Sequence, residues 1–208
     1  MSRQGMFIVF EGIDGAGTTT QAQRLVAALE QRSIPACFTC EPSSEPPGVL
    51  IRDILAGDDT VQPETLALLF AADRREHLYH PQRGIQSLVT KGTTVVCDRY
   101  VFSSYAYQGI TAGIDLVTTL NNDFPMPDHL IFIDTSPDES DRRLQTRSRR
   151  DRFEEPTLQR SVADRYRDVM DHFEQQVALH RIDGNADPDG VFDAICRALA
   201  LDFPELCR

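Results

Sequence analysis

An apolar run at residues 6–10 breaks at Glu11 into a turn holding Gly12, Gly15 and Gly17. Directly after it, Ala22, Leu25, Val26 and Leu29 recur at the spacing of one helix face. A buried strand, a glycine turn and an amphipathic helix in that order make a cradle for phosphate. The glycines permit positive φ and a close backbone approach, and the helix aims its positive dipole end at the same point. The turn Gly12-Ile13-Asp14-Gly15-Ala16-Gly17-Thr18-Thr19 fits the phosphate-binding spacing G-x-x-x-x-G-K-[ST], except that Thr18 stands where the motif has lysine. Thr19 keeps the hydroxyl that would meet a magnesium ion.

The rest of the chain alternates in the same way. Strands are expected at residues 36–40, 93–97, 129–133 and 181–183. Helices are expected around Val49 to Leu55, from Pro63 to about Leu78, at 85–89, 115–121 and 137–144, along Leu158, Val162, Tyr166, Val169, Phe173 and Val177, and along Val191, Ile195 and Leu199. Such alternation implies a mostly parallel sheet covered on both faces. At 208 residues and 41% hydrophobic, one domain with a substantial core is the expected size. The mobile segments are expected at the Ser/Pro loop 41–48 and at the arginine-rich stretch.

Net charge −11 argues against a nucleic-acid backbone or an anionic membrane as the main partner, since either calls for a basic face. No apolar run approaches spanning length and the N-terminus has no signal-type apolar segment, so the expected location is the cytoplasm. The five cysteines are odd in number and lie mostly in apolar runs, as reduced core residues do. Cys37 and Cys40, three apart on a predicted strand, face opposite sides and lack a second pair for zinc. The histidines show no ligand spacing.

Taken together and in order, FEGIDGAG-TTQ, a Glu-Pro after the second strand, LFAADR, VVCDRY, SSYAYQG, PDHLIFID, an arginine-rich segment ending in DRFE, and IDG near the C-terminus resemble the thymidylate kinases. These are P-loop nucleoside monophosphate kinases that pass phosphate from ATP to dTMP. The resemblance implies an α/β, P-loop NTPase-type three-layer sandwich: a mostly parallel five-stranded sheet, helices on both faces, and a small lid at about 145–157. It also implies Mg2+, ATP and dTMP as ligands, and a homodimer.

By that resemblance Gly12 to Thr19 and Arg143 contact ATP, with Arg143 packing on adenine, and Thr19 with Asp98 holds the metal shell. Phe70 and Arg74, four apart and so on one helix face, would stack on the pyrimidine and donate to its carbonyl edge. Ser104 and Gln108 would complete the bonds to thymine, and Tyr107 would crowd the sugar 2′ position. Asp14 would meet the 3′ hydroxyl, while Glu41 lies among the substrate-binding residues and Arg52 and Arg99 hold the acceptor phosphate, a task suited to planar bidentate donors. One branch of the family carries its catalytic arginines in the lid, where Arg147, Arg149, Arg150 and Arg152 stand here. The departures are Thr18 for lysine, Cys40 for a frequent arginine, and Ser43-Ser44 for two glycines. Two other readings stay open: a deoxynucleoside kinase with Glu41 as base, and a nucleotide-binding protein without catalysis.

Overall fold

In the computed structural model, which describes residues 5–57, 60–145 and 156–207, strand and helix alternate as expected. The elements are β1 Phe7–Glu11, α1 Thr18–Gln31, β2 Ala36–Cys40, α2 Pro46–Ala56, α3 Pro63–Tyr79, α4 Ile85–Thr90, β3 Thr94–Asp98, α5 Val101–Thr111, α6 Ile114–Asn121, β4 His129–Asp134, α7 Pro137–Leu144, α8 Pro156–Phe173, β5 Ala178–Asp183 and α9 Pro188–Ala198. The five strands form one sheet in the order β2-β3-β1-β4-β5. Every pairing is parallel, with Val9 opposite Cys97 on one side and Leu130 on the other. All carboxyl ends therefore share one rim, and the order turns back on itself around β1, the place where open α/β sheets bind ligands.

Composition explains the order of burial. Each residue of β1 and of β3 is buried, as strands covered on both faces must be. β2 and β5 sit at the edges and are only partly covered. Helix α1 packs against β2 and β3 and also against α9, while α5 packs against α8. A ladder of rings ties the second pair to the sheet: Phe132 of β4 stacks on Tyr166 of α8 at 5.7 Å, and Phe102 meets Phe173 edge-on at 5.2 Å.

Several boundaries differ from the sequence reading for local reasons. β5 starts at Ala178 rather than at residue 181, because as an edge strand it exposes Ala178, Arg181 and Asp183 and so shows no apolar run. α8 stops at Phe173, four residues short of Val177, where Gln176 donates to the Phe173 carbonyl in a closing turn. α2 starts at Pro46, a proline in the first turn, ahead of its apolar positions. A 3-10 turn, Pro204–Cys207, carries no periodicity to announce it. The lid arginines Arg147, Arg149, Arg150 and Arg152 lie outside the described residues.

Ile131, fully buried in β4, should carry far more stability than Leu201, which is 96% exposed. In denaturant unfolding, Ile131→Ala is expected to cost about 2–5 kcal/mol through lost transfer energy and the cavity left behind. Leu201→Ala should stay within about 0.5 kcal/mol.

Candidate active site

At the rim, β1 hands over to the glycine turn. Gly15 and Gly17 take φ of +85° and +91°, which side chains with a Cβ rarely adopt. Gly17 is also the N-cap of α1, with no side-chain cap and no acidic residue in the first turn. The first N–H groups of a helix have no intrahelical partner, so α1 offers them, with its positive dipole end, to an anion. Thr18 is buried, and its methyl lies against Gly12, where an added Cβ would meet it at 3.2 Å. Nothing at this position extends toward a ligand as a lysine would.

Thr19 follows, and its hydroxyl donates to Oδ2 of Asp98 at the tip of β3. The second oxygen, Oδ1 of Asp98, is buried without a hydrogen-bond partner. A buried unpaired carboxylate oxygen beside a hydroxyl suits a hard cation that takes one protein carboxylate and draws its other oxygens from phosphate and water. Among the described residues no cluster of three His, Cys, Asp or Glu side chains could hold a metal by itself.

Arg99 comes next in the chain and has φ +72°, left-handed for a non-glycine residue. Nη2 donates to Oδ1 of Asp14 at 2.6 Å, and Nη1 to the hydroxyls of Ser103 at 3.2 Å and Tyr166 at 3.1 Å. Burial works against its charge, but Tyr107, Asp14, Tyr166 and Asp98 around it hold its pKa well above the usual value. Asp14 also accepts from Tyr107 Oη at 2.9 Å and from Gln159 Nε2 at 2.7 Å. Ser140 of α7 donates to the Asp14 carbonyl, which pins the turn from outside.

Across the cleft, Arg74 of α3 is almost fully buried. Nε and Nη2 both donate to Oε2 of Glu41, at 2.9 and 2.7 Å, Nη2 also reaches Ser104 Oγ at 3.2 Å, and Nη1 donates to Asn121. Oε1 of Glu41 faces His77 Nδ1 at 3.3 Å. Phe70, one turn before Arg74, lines the cleft with Asp14, Glu41, Arg99, Tyr107 and Gln108; its volume is about 620 Å³ with the open mouth counted. Ser104 stands behind Arg74 rather than on the cleft wall, where Ser103 is found instead. The loop beneath is held by buried Asp73, whose carboxylate accepts from the amide and hydroxyl of Ser43, and by a two-pronged Arg83–Glu45 ion pair. Arg52 lies at its edge, with Nη1 on the carbonyls of Pro42 and Ser43.

The sequence profile described as thymidylate kinase matches residues 10–195. The chain belongs to the thymidylate kinase family. A probable thymidylate kinase of Methanococcus maripaludis is 38% identical over 209 residues, covering 97% of this chain and 98% of its own. One of Methanococcus aeolicus is 39% identical over 165 residues, 79% of each chain. Among solved structures, thymidylate kinase from Candida albicans superposes with a TM-score of 0.82 over 97% of this chain and 94% of its own, at 23% identity.

Within this thymidylate kinase fold, Arg143 on α7 donates to the carbonyls of Gly184 at 2.8 Å and Ala16 of the glycine turn at 3.4 Å and pairs with Glu139. Arg142 and Arg143 hold the Glu139 carboxyl at about 2. The sequence reading missed Glu11, Asp73, Asn121, Gln159 and Tyr166. Only Glu11 and Asp73 had a signal to offer, a charge inside an apolar segment, which a folded core tolerates only with partners. The sole lysine, Lys91, precedes β3 at the opposite edge from Asp98 and donates to the Gln82 carbonyl.

The Arg74–Glu41 pair is out of water on both sides, 1% and 2% exposed. Arg74→Met should therefore destabilise the protein by about 3–5 kcal/mol, because it strands a buried carboxylate. Adding Glu41→Leu should restore much of that loss in thermal unfolding.

Proposed function

We propose that this member of the thymidylate kinase family transfers the γ-phosphate of ATP to dTMP, giving ADP and dTDP on the way to dTTP. The observation that carries the reading is a cleft in which the aromatic-guanidinium pair Phe70 and Arg74 faces Arg99 and Asp14, the last belonging to the glycine turn that leads into the uncapped start of α1 and the Thr19–Asp98 pair. Phe70 stacks on thymine. Arg74, with four hydrogen bonds already made to protein, keeps one Nη1 hydrogen for a carbonyl of the base and is held for that task by Glu41 and Ser104. Gln108 completes base recognition, Tyr107 crowds the 2′ position, and Asp14 meets the 3′ hydroxyl.

Arg99 takes the acceptor phosphate, joined by Arg52, whose Nη2 is not engaged by the loop carbonyls. At the donor end, Gly12 to Thr19 wrap the phosphates with backbone N–H groups, and Arg143 covers adenine. Thr19 and Asp98 would hold Mg2+, which would supply positive charge to offset that of the phosphates. The attacking group is a phosphate oxygen whose second pKa is about 6, so no general base is required. The work of the protein is alignment and charge stabilisation. The lid at about 145–157 supplies the positive charge that Thr18 does not, through Arg147, Arg149, Arg150 or Arg152.

Glu41 argues against a deoxynucleoside kinase. Its Oε2 receives two bonds from Arg74 and its Oε1 faces His77, so it is committed to structure rather than poised as a base. Exposed Val49 and Leu50 on α2 and Leu68 on the adjoining α3 favour a homodimer through these helices. Net charge −11 disfavours nucleic acid as a partner. Among the described residues no helix is long and apolar enough to cross a membrane, and we place the reaction in the cytoplasm.

A coupled assay with ATP, Mg2+ and dTMP tests the whole reading; ADP is expected with dTMP and not with thymidine. Nucleotide binding without ADP release would leave a binding protein instead. Replacing the decisive lid arginine by alanine should lower kcat by about 10³- to 10⁵-fold, whereas Thr18→Lys should change it little. A large gain from the lysine with silent lid variants would refute lid compensation.

A further inference from the structure

Glu11 ends β1 fully buried, next to the phosphate loop but not part of it. Its four acceptor contacts divide by oxygen. Oε1 takes the backbone N–H groups of Tyr100 at 2.8 Å and Ser103 at 3.2 Å. Oε2 takes the hydroxyls of Ser103 at 2.7 Å and Tyr166 at 2.8 Å. The first pair lies at the start of α5, whose own N-cap, Tyr100, gives no side-chain cap. A carboxylate from another strand thus caps the helix that carries Ser104, Tyr107 and Gln108.

The second pair are the same two hydroxyls that receive Nη1 of Arg99. A hydroxyl has one hydrogen and two lone pairs. The two hydroxyls also lie 2.8 Å from each other; where their hydrogens are given to the acceptor-only carboxylate, lone pairs remain for the guanidinium. A neutral amide in place of Glu11 would present N–H to these hydroxyls and turn their hydrogens toward Arg99.

We propose that Glu11 is a positioning residue for the acceptor end of the site: it fixes the polarity of the Ser103 and Tyr166 hydroxyls, and through them the place of Arg99, while capping α5. The proposal rests on Arg99 holding the acceptor phosphate as argued above. Burial pushes the Glu11 carboxyl up to about 7, against the pull of Arg99, Ser103, Tyr166 and the Tyr100 amide. Arg99 is the charged group facing it from the β3–α5 junction, with Asp14 and Tyr107 beyond. Tyr166, the titratable group facing it from α8, is itself pushed well up by burial and stays a donor. Protonating Glu11 supplies a competing O–H, so acceptor binding should strengthen as pH rises through about 7.

The test is Glu11→Gln in the whole protein. The KM for dTMP should rise about 10-fold or more, the scale of hydrogen bonds to a charged group, while the KM for ATP stays put. The pH dependence near 7 should vanish, leaving only the limb near 6 from the phosphate itself. Stability should hold or improve at pH 8: a carboxyl with folded pKa raised from 4.5 to about 7 contributes stability in its neutral form below 4.5 and loses it as pH rises through 7. Tyr166→Phe, which keeps the carboxylate, should show the same selective rise, and the double variant should add little to either. Equal rises in both KM values would mean general loosening of the phosphate loop, and an unchanged dTMP KM or additive penalties would equally overturn the proposal. Should the wild type fail to phosphorylate dTMP, the functional reading falls separately. A crystal structure of Glu11→Gln still decides the positioning: Arg99 is expected off Ser103 and Tyr166, and an unmoved guanidinium would sink the idea.

Discussion

The ion pair between Arg99 and Asp14 joins the tip of β3 to the glycine turn after β1, and both residues line the cleft. Its geometry begins in the backbone. A non-glycine residue at φ +72° is held there only when its surroundings over-determine it, and here they do. The same guanidinium meets a carboxylate and two hydroxyls, and its carbon lies 5.3 Å from the centre of the Tyr107 ring. Had Arg99 continued along the strand, it would have projected from the sheet face opposite Asp98. The left-handed turn sends it to Asp14 instead, and Oδ1 of Asp98 next to it is buried without a hydrogen-bond partner.

The framework was legible because period and punctuation are local properties. Buried β1 and β3 read as apolar runs, and Pro63 and Pro137 mark helix starts that the structure reproduces. β5 was half hidden because an edge strand alternates, and the 3-10 turn has too few residues for any period. At the site, the glycine turn and Asp98-Arg99 could be found from spacing and position, and the family resemblance added the order of the remaining motifs. What could not be read were partnerships across the fold. Gln159 reaches Asp14, Tyr166 reaches Glu11 and Asp73 reaches Ser43 over 145, 155 and 30 residues of chain. No propensity or periodicity encodes such pairs; only the packed core brings them together.

The same partnerships bear on the unusual residues at the rim of the sheet. Ser43, where relatives of this type often carry glycine, places its hydroxyl and amide on Asp73. Cys40 donates weakly to the Pro42 carbonyl, and burial raises its thiol pKa. Ser43 is thus absorbed by bonds to α3, and Cys40 by a bond inside the loop. Thr18 is absorbed differently, by burial against Gly12. The glycine turn thus keeps its backbone shape while carrying no cationic side chain from Gly12 to Thr19.

The strand order has a consequence for how the chain reaches this state. β1 pairs only with β3 and β4, through registers such as Ile8 with Val96 and with His129, and never with its sequence neighbour β2. On a growing polypeptide, Phe7, Ile8, Val9 and Phe10 are made long before either partner exists. Non-local parallel pairing is slow and leaves apolar strands exposed meanwhile. The glycine turn, although encoded near the start, is therefore anchored by a fully paired β1 only after β4 has emerged, and until then Phe7 to Phe10 stay an apolar strand with unfilled edges.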